Sequence, residues 1–193
     1  AFRRKETFAT SGPRMRARFF AGTGYSDDIM TAESMIERAY AGGVPMGSDL
    51  ITGGQAPTFI AWASADPRGT ALQRLQIVKG WEKNGETYEA VYDVACSDGL
   101  RPDPETHRCP DNGARVNLAD CSITEGVGAT ELKTLWQDPD YDSESRAFYY
   151  LRALENPTCR WSTWDALRAG VEPRPDLHTT LQERVWSSPI WVR

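Results

Sequence analysis

The sequence predicts a mainly β protein, an antiparallel, immunoglobulin-like β-sandwich with two short helices and a disulfide-closed loop. Three observations lead to this fold class. Apolar and polar residues alternate with a period of two in several segments, which is the pattern of half-buried strands. Turn-forming residues separate most of these segments, and the chain has seven tryptophans in 193 residues, a composition typical of sandwiches.

The first half of the chain contains four predicted strands. In residues 14–19, RMRARF, arginine alternates with an apolar residue. Residues 57–66 are rich in β-branched and aromatic side chains and are bounded by prolines. Residues 72–81 and 87–96 flank Asn84-Gly85, a dipeptide that tolerates positive φ at both positions. We therefore predict a β-hairpin across this turn.

The second half contributes three further predicted strands. Residues 130–138 and 146–155 have the same alternating character. The chain ends in SSPIWVR, residues 187–193, which predicts a short terminal strand paired with residues 147–154. We detect no internal repeat, so the strands are expected to form one β-rich domain over residues 1–193.

Two segments have helical features. Residues 26–43 and 162–170 each begin with polar capping residues and end at glycine, which are the usual start and stop signals of a helix. The predicted N-caps are Ser26 or Asp27 and Ser162 or Thr163, and the predicted terminators are Gly42-Gly43 and Gly170.

The four cysteines form no C-x-x-C pair. Structural zinc sites and dithiol redox motifs use closely spaced cysteines, so disulfides in an oxidising compartment are the favoured interpretation. Four cysteines allow three connectivities. We predict Cys96–Cys109 with Cys121–Cys159, because the first pair closes a compact loop within an excursion at residues 96–121. The alternative is a set of reduced thiols in a cytosolic protein.

The net charge of the chain limits the classes of partner that it is expected to bind. The net charge is −5 and the sequence pI is about 5.1, which argues against nucleic acid as the main partner, because phosphate binding requires clustered Lys and Arg. The basic residues among the first eighteen are interpreted as a solvated strand face. No apolar run is long enough to span a bilayer. The chain begins inside a structured segment, so we expect it to be part of a longer protein.

Two acidic segments are candidate metal sites. Asp98, Asp103, Glu105 and His107 lie between Cys96 and Cys109 but lack the register of a calcium loop, so a closed surface loop is favoured. Further on, three aspartates alternate as early calcium ligands do, without the glycine and glutamate that an EF-hand requires. These weak calcium candidates are Asp138, Asp140 and Asp142.

Catalytic motifs are sparse. The only histidines are His107 and His178, and no G-x-S-x-G sequence occurs, so we predict no catalytic residue, no metal centre and no cofactor in this chain. Four late tryptophans offer a different function, because exposed indoles stack on sugars. The alternative hypothesis is therefore a non-catalytic module that binds glycans through Trp161, Trp164, Trp186 and Trp191.

Several motifs occur in a recognisable order. They are residues 3–20, 43–50, 75–81, 147–170 and 183–192, which read RRKETFATSGPRMRARFF, GVPMGSDL, LQIVKGW, AFYYLRALENPTCRWSTWDALRAG and ERVWSSPIWV. Together they resemble the C-terminal portion of the bacterial domain-of-unknown-function 3604 family over nearly the whole chain. That family in turn resembles the polymerase-and-histidinol-phosphatase (PHP) superfamily of metal-dependent phosphoesterases.

This resemblance implies a divided protein. A missing N-terminal domain is expected to carry the divalent metal and to be the partner of this chain, with residues 1–14 as the junction. The chain itself is then an accessory C-terminal domain of a periplasmic or secreted hydrolase and is inactive alone. Its substrate-facing candidates are the residues nearest the junction, with Arg14 as the partner of a phosphate or carboxylate. These candidates are Thr7, Thr10, Ser11 and Arg14.

Overall fold

Thirteen strands dominate the computed structural model, which describes all 193 residues. In chain order they are Phe8–Thr10 (β1), Arg16–Gly22 (β2), Val44–Pro45 (β3), Asp49–Leu50 (β4), Thr58–Ser64 (β5), Leu72–Lys83 (β6), Glu86–Cys96 (β7), Glu131–Gln137 (β8), Ala147–Glu155 (β9), Thr158–Cys159 (β10), Thr180–Leu181 (β11), Arg184–Ser187 (β12) and Ile190–Val192 (β13). Two α-helices accompany them, Met35–Gly42 (α1) and Trp161–Ala169 (α2), with single 3₁₀ turns at Phe2–Arg4 and Asp27–Thr31. The predicted fold class, mainly β with antiparallel sheets and two helices, is confirmed.

The larger sheet has seven strands around β9 at its centre. On one side β9 pairs with β6, which pairs with β7. On the other side β12 and β13 lie in tandem along β9, and they are followed by β1 and β4 respectively. All pairs are antiparallel except the short parallel pair β4–β13. The predicted pairing of the terminal strand with residues 147–154 is therefore confirmed.

The smaller sheet has the order β3–β2–β5–β8 and is antiparallel throughout. Its inner face packs on the inner face of the larger sheet, because alternate residues of the strands are apolar and point the same way. The fully buried side chains between the sheets include Met15, Phe19, Phe59, Leu75, Ile77, Tyr149, Leu151 and Ile190. A second apolar cluster lies under α1 on the outer face of the smaller sheet and consists of Phe20, Ile29, Met35, Ala39 and Ile60.

The hairpin between β6 and β7 forms as predicted. Asn84 and Gly85 have φ of 56° and 83°, which is the left-handed conformation that a two-residue hairpin turn requires. The Glu82 carboxylate accepts the Gly85 N–H at 2.6 Å and so closes the turn. Long strands on either side bring residues distant from the turn into register across the sheet.

The prediction of one helix over residues 26–43 was wrong at its centre. Ala32 is extended, with φ −71° and ψ 135°, so the segment divides into a 3₁₀ turn and α1. The predicted end at Gly42-Gly43 is confirmed. Because the Ser26 hydroxyl donates to the Asp28 carboxylate, it does not cap a backbone N–H.

The second helix also differs at its beginning. Its N-cap is Arg160 and not Ser162 or Thr163. The Thr163 hydroxyl donates to the Thr179 carbonyl at 2.8 Å, because this buried side chain faces the β10–β11 ribbon. The predicted terminator is confirmed: Gly170 has φ 65° and its N–H closes the last turn.

Both predicted disulfides are present. Cys96 is joined to Cys109 and Cys121 to Cys159. The first closes a loop directly after β7, and the second ties the long connection over residues 97–130 to β10. Disulfides persist in oxidising compartments, which is consistent with a protein outside the cytosol. None of the helices has the length and apolar character needed to cross a membrane.

Candidate functional site

The loop between Cys96 and Cys109 is held by a buried carboxylate. Asp93, on β7, is 3% exposed. One of its oxygens accepts the Cys109 N–H at 2.7 Å and the other accepts Gln76 Nε2 at 2.6 Å. Arg74 and Arg108 add charged contacts at 3.6 and 3.8 Å. The loop is therefore anchored on the sheet by hydrogen bonds in addition to its disulfide.

The other polar side chains of this loop serve its turns. Asp103 accepts the backbone N–H groups of Glu105 and Thr106, and the Thr106 contact lowers the pKa of this carboxyl. Asp98 accepts the Gly128 N–H at 2.9 Å. The His107 ring lies 5.1 Å from the Tyr92 ring. Throughout the chain no three His, Cys, Asp or Glu side chains are grouped so that they could hold a metal ion.

The aspartates of the second acidic segment are drawn into a buried ion pair. Asp138 is 4% exposed and Lys79 is 5% exposed, and Lys79 Nζ lies 2.6 Å from the Asp138 carboxylate. The Tyr149 hydroxyl donates to the same carboxylate at 2.7 Å. Burial raises the pKa of Tyr149 above its ordinary value, so this phenol remains a donor. The ammonium group of Lys79 thus occupies the position that a metal cation bound to Asp138 would take.

The remaining two aspartates face away from a shared centre. The Asp140 carbonyl accepts Lys79 Nζ at 2.7 Å, while its carboxylate accepts the Tyr92 hydroxyl at 2.8 Å. Asp142 accepts the Glu144 N–H and the Ser145 hydroxyl. These contacts stabilise the connection between β8 and β9, and the three carboxylates do not converge on one point.

The substrate-facing candidates of the predicted junction lie along one edge of the larger sheet. Thr10 pairs with Val185 where β1 adds to β12. The Thr7 hydroxyl contacts the Ser188 hydroxyl at 3.1 Å, and the Ser11 hydroxyl donates to the Glu183 carboxylate. The three hydroxyl-bearing candidates therefore follow one short path, and two of their side chains are engaged with the C-terminal segment.

Arg14 lies where the chain crosses from the larger sheet to the smaller one. Its backbone N–H donates to the Asp66 carboxylate at 2.6 Å, and the Arg68 N–H donates to the other oxygen at 2.9 Å. Arg16 is paired across the sheet with Ser64. A surface depression of about 680 Å³ results, which we call the arginine groove; its lining residues are Arg14, Arg16, Ser64, Ala65, Asp66, Pro67 and Arg68.

The arginine groove carries an excess of positive charge. Its three arginines are exposed, and none of their guanidinium groups forms a salt bridge or a hydrogen bond within the chain. Arg38 and Arg174, in contrast, are paired with neighbouring aspartates. The single carboxylate of the groove has a lowered pKa because it accepts two backbone N–H groups. Free guanidinium groups bind phosphate and carboxylate in a bidentate manner.

A buried carboxyl group lies near the groove and was not predicted. Glu155, the last residue of β9, is 1% exposed. One oxygen accepts the Thr70 hydroxyl at 3.2 Å, while the other has no partner. Burial raises the pKa of Glu155 to about 7, and the charges of Glu183 and Asp66 act in the same direction. The alternation of β9 contained the signal, because Glu155 continues the inward positions Tyr149 to Ala153.

The late tryptophans are distributed over separate elements. Trp161 is 65% exposed and Trp164 is 38% exposed, both on α2, and Arg168 lies 5.4 Å from the Trp164 ring. Trp186 belongs to β12 and Trp191 to β13. Two of the four tryptophans therefore lie on a helix and two on the larger sheet.

Comparison with known proteins gave one match. The model of the family described as "Protein of unknown function (DUF3604)" matches residues 1–193. No curated protein and no solved structure matches the chain.

Proposed function

We propose that this chain, which belongs to the DUF3604 family, is the accessory C-terminal domain of a periplasmic or secreted hydrolase. The hydrolase would resemble the PHP metal-dependent phosphoesterases, and this domain would bind the anionic group of the substrate. The observation that carries the proposal is the arginine groove, where Arg14, Arg16 and Arg68 present guanidinium groups without an internal partner.

The position of the groove supports a role in substrate binding. Arg14 ends the junction segment, residues 1–14, so it is the charged groove residue nearest the expected N-terminal domain. Asp66 accepts the backbone N–H of Arg14 and of Arg68, which brings the two residues together without consuming either guanidinium group. Three positive charges and one negative charge favour an oxyanion over a neutral ligand.

The hydrolytic step belongs, in this proposal, to the N-terminal domain. The side chains of this chain provide no group of three metal ligands, so we assign the divalent metal to that domain and derive no catalytic step here. Thr7, Thr10 and Ser11 lie on the same edge as Arg14 and would form part of the cleft wall. The disulfides support a periplasmic or secreted location.

One observation favours a second function. The exposed indole of Trp161 has the character of a sugar-stacking residue, so the alternative remains a non-catalytic glycan-binding module. The genomic sequence upstream of Ala1 discriminates between the two. A domain bearing H-x-H motifs favours the accessory role, while a signal peptide directly before Ala1 favours the independent module.

The anion site can be tested on the chain itself. We expect inorganic phosphate to shift the amide NMR signals of Arg14, Asp66 and Arg68 in a saturable way. Arg14→Gln should abolish this response, because it removes one guanidinium and leaves the backbone contact to Asp66 in place. Arg101→Gln is the matched control, since Arg101 is exposed and lies in the loop after β7. Equal responses in the two variants, or no response in the unmodified chain, would refute the anion site.

The accessory role has its own test. The isolated chain should not hydrolyse p-nitrophenyl phosphate in the presence of Mn²⁺ or Zn²⁺. Turnover that a chelator abolishes would show that this chain holds the catalytic centre. In that case the division of labour would be wrong even if the groove binds phosphate.

A further inference from the structure

The outer face of the larger sheet carries a depression that the anion site does not use. It has a volume of about 660 Å³, and we call it the aromatic groove. Its lining residues are Gly80, Trp81, Glu82, Thr87, Tyr88, Glu89, Arg146, Ala147, Phe148, Trp191, Val192 and Arg193. These residues belong to β6, β7, β9 and β13 or lie beside them, so the groove runs across the strands.

The register of the sheet arranges a row of side chains across the groove. Gly80 is paired with Glu89 on one side and with Phe148 on the other. Phe148 is paired with Trp191, which is paired in turn with Asp49. The row crosses five strands and measures about 19 Å, since neighbouring strands lie about 4.8 Å apart. Two aromatic residues at its centre are thus flanked by carboxylates at its ends.

The row is depressed at Gly80, because glycine has no side chain. A Cβ atom at this position would overlap the Phe148 ring, so the ring lies directly against the glycine backbone. Phe148 remains 39% exposed, which leaves apolar ring surface open to a ligand. Lys5 Nζ lies over the Trp191 ring at 5.1 Å and restrains this indole by a cation–π contact.

The lining residues Trp81 and Tyr88 point to the opposite face of the sheet, because they alternate with Gly80 and Glu89 along β6 and β7. Trp81 and Tyr88 are stacked, with ring centroids 5.5 Å apart and an interplanar angle of 17°. Tyr88 is 42% exposed. An exposed large apolar surface on a folded protein commonly marks a binding site. On the side of the groove this apolar surface is provided by Phe148 and Trp191.

The rim of the groove is polar and contains both signs of charge. Glu82 and Glu89 supply acceptors, Thr87 supplies a hydroxyl, and Arg146 supplies donors. Arg193 is paired with Asp49 at 2.8 Å, which lowers the net charge at that end. A rim of mixed sign matches a neutral ligand that has many hydroxyl groups, whereas a phosphorylated ligand would require an excess of positive charge.

Three of the four strands under the groove cannot accept an added peptide strand, while β7 is an edge strand. β6, β9 and β13 each have a neighbour on both sides. Their backbone groups are therefore used in the sheet, and binding of an extended peptide by strand addition requires a free edge. A ligand that lies over these three strands must use its own flat faces and peripheral polar groups.

We infer that the aromatic groove binds a neutral oligosaccharide laid across the strands. The apolar C–H faces of its rings would stack on Phe148 and Trp191, and its hydroxyl groups would form hydrogen bonds with Glu82, Glu89 and Arg146. A pyranose ring combines flat apolar faces with peripheral hydroxyls, which is the combination that the floor and the rim of this groove offer. The inference does not depend on the arginine groove.

The test uses tryptophan fluorescence of the full chain with soluble neutral hexasaccharides: cellohexaose, xylohexaose, mannohexaose, laminarihexaose and maltohexaose. We expect at least one to give a saturable change. Phe148→Ala and Trp191→Ala should each weaken this binding about tenfold or more, since each removes a stacking face. Phe2→Ala is the matched control, because it removes an exposed aromatic ring outside the groove, and its affinity should be unchanged. Trp161→Ala tests whether the sugar binds on α2 instead.

Two further measurements keep the outcome clear. Glu89→Gln keeps the size of the side chain and removes its charge. This variant should bind the hexasaccharide more weakly, and the melting temperature of the chain should stay the same because Glu89 is exposed. Arg14→Gln should bind the same hexasaccharide with unchanged affinity, so failure here and failure of the anion site are distinguishable. No binding by any hexasaccharide, or loss of binding in Trp161→Ala alone, would overturn the inference. Binding of an apolar dye without any hexasaccharide would overturn it as well.

Discussion

Replacement of Glu155 by Gln should make the protein more stable at alkaline pH and change little at acidic pH. Glu155 is 1% exposed, and one of its carboxyl oxygens has no hydrogen-bond partner. The other oxygen accepts the Thr70 hydroxyl, a contact that a glutamine side chain can keep. Because the variant cannot ionise, it removes the cost of a buried charge and preserves the shape of the site.

The magnitude follows from the pKa of this group. Burial raises it from 4.5 to about 7, and each pKa unit corresponds to about 1.4 kcal/mol, so the full effect is about 3 kcal/mol. The sign is set by the folded state, which keeps the proton after the unfolded chain has lost it. The contribution to stability is therefore complete below a pH of about 4.5 and is lost as the pH rises through about 7.

Urea unfolding followed by tryptophan fluorescence measures this effect, with both disulfides intact. The free energy of unfolding of the unmodified chain should fall between about pH 5 and pH 8 relative to that of Glu155→Gln, by up to about 3 kcal/mol. Glu105→Gln is the control, because Glu105 is exposed in the loop closed by Cys96 and Cys109. Parallel pH curves for the unmodified chain and Glu155→Gln would refute the reasoning.

Three further changes test the fold. Cys121→Ser removes the disulfide to Cys159, which spans 38 residues, and should lower the free energy of unfolding in urea by about 4 kcal/mol; an unchanged midpoint would contradict this. Lys79→Met leaves the buried Asp138 carboxylate without its cation and should cost about 3–5 kcal/mol by the same measurement, largely recovered when Asp138→Asn is added. Gly85→Ala places a Cβ at φ 83° and should lower the unfolding free energy by about 1 kcal/mol, with Gly24→Ala as comparison, because this exposed glycine lacks a positive φ and an added Cβ would meet no atom.

The strands could be predicted because the residues that face the core are apolar and occur at every second position. In residues 14–19 every second side chain is an arginine, and the structure exposes those arginines while it buries the apolar residues between them. The Asn84-Gly85 turn is equally local, since its conformation depends on two residues. Period and turn chemistry act within a few residues, so they need no knowledge of distant partners.

The helix caps show where local signals fail. Thr163 has a side chain suited to capping, but the Thr179 carbonyl lies within its reach and accepts its hydroxyl. Residues 26–43 have the composition of one helix, yet Ala32 is extended and divides them. In both segments a tertiary contact, or packing of the short helix on the sheet, overrides the local helix preference. Such contacts cannot be read from the sequence alone.

The candidate site was predictable only in part. The family resemblance predicted a junction near Arg14, and the structure showed that its guanidinium group has no internal partner. The partners Asp66 and Arg68 are more than fifty positions away in the chain, so no local pattern associates them with Arg14. The aromatic groove was missed for the same reason, because Phe148 and Trp191 become neighbours only through strand pairing.

The two proposed sites should act independently, for a reason that lies in the sandwich itself. Arg16 and Arg18 point outward from the smaller sheet, while Gly80 and Phe148 point outward from the larger one, and the shared apolar core lies between them. Side chains on an outer face do not contribute to packing between the sheets, so each face can carry a different binding chemistry without disturbing the other. Effects at sites without shared partners add. The affinity for phosphate and the affinity for the hexasaccharide should therefore be the same whether each ligand is measured alone or in the presence of the other. Any dependence of one affinity on the other ligand would show that the grooves communicate through the core.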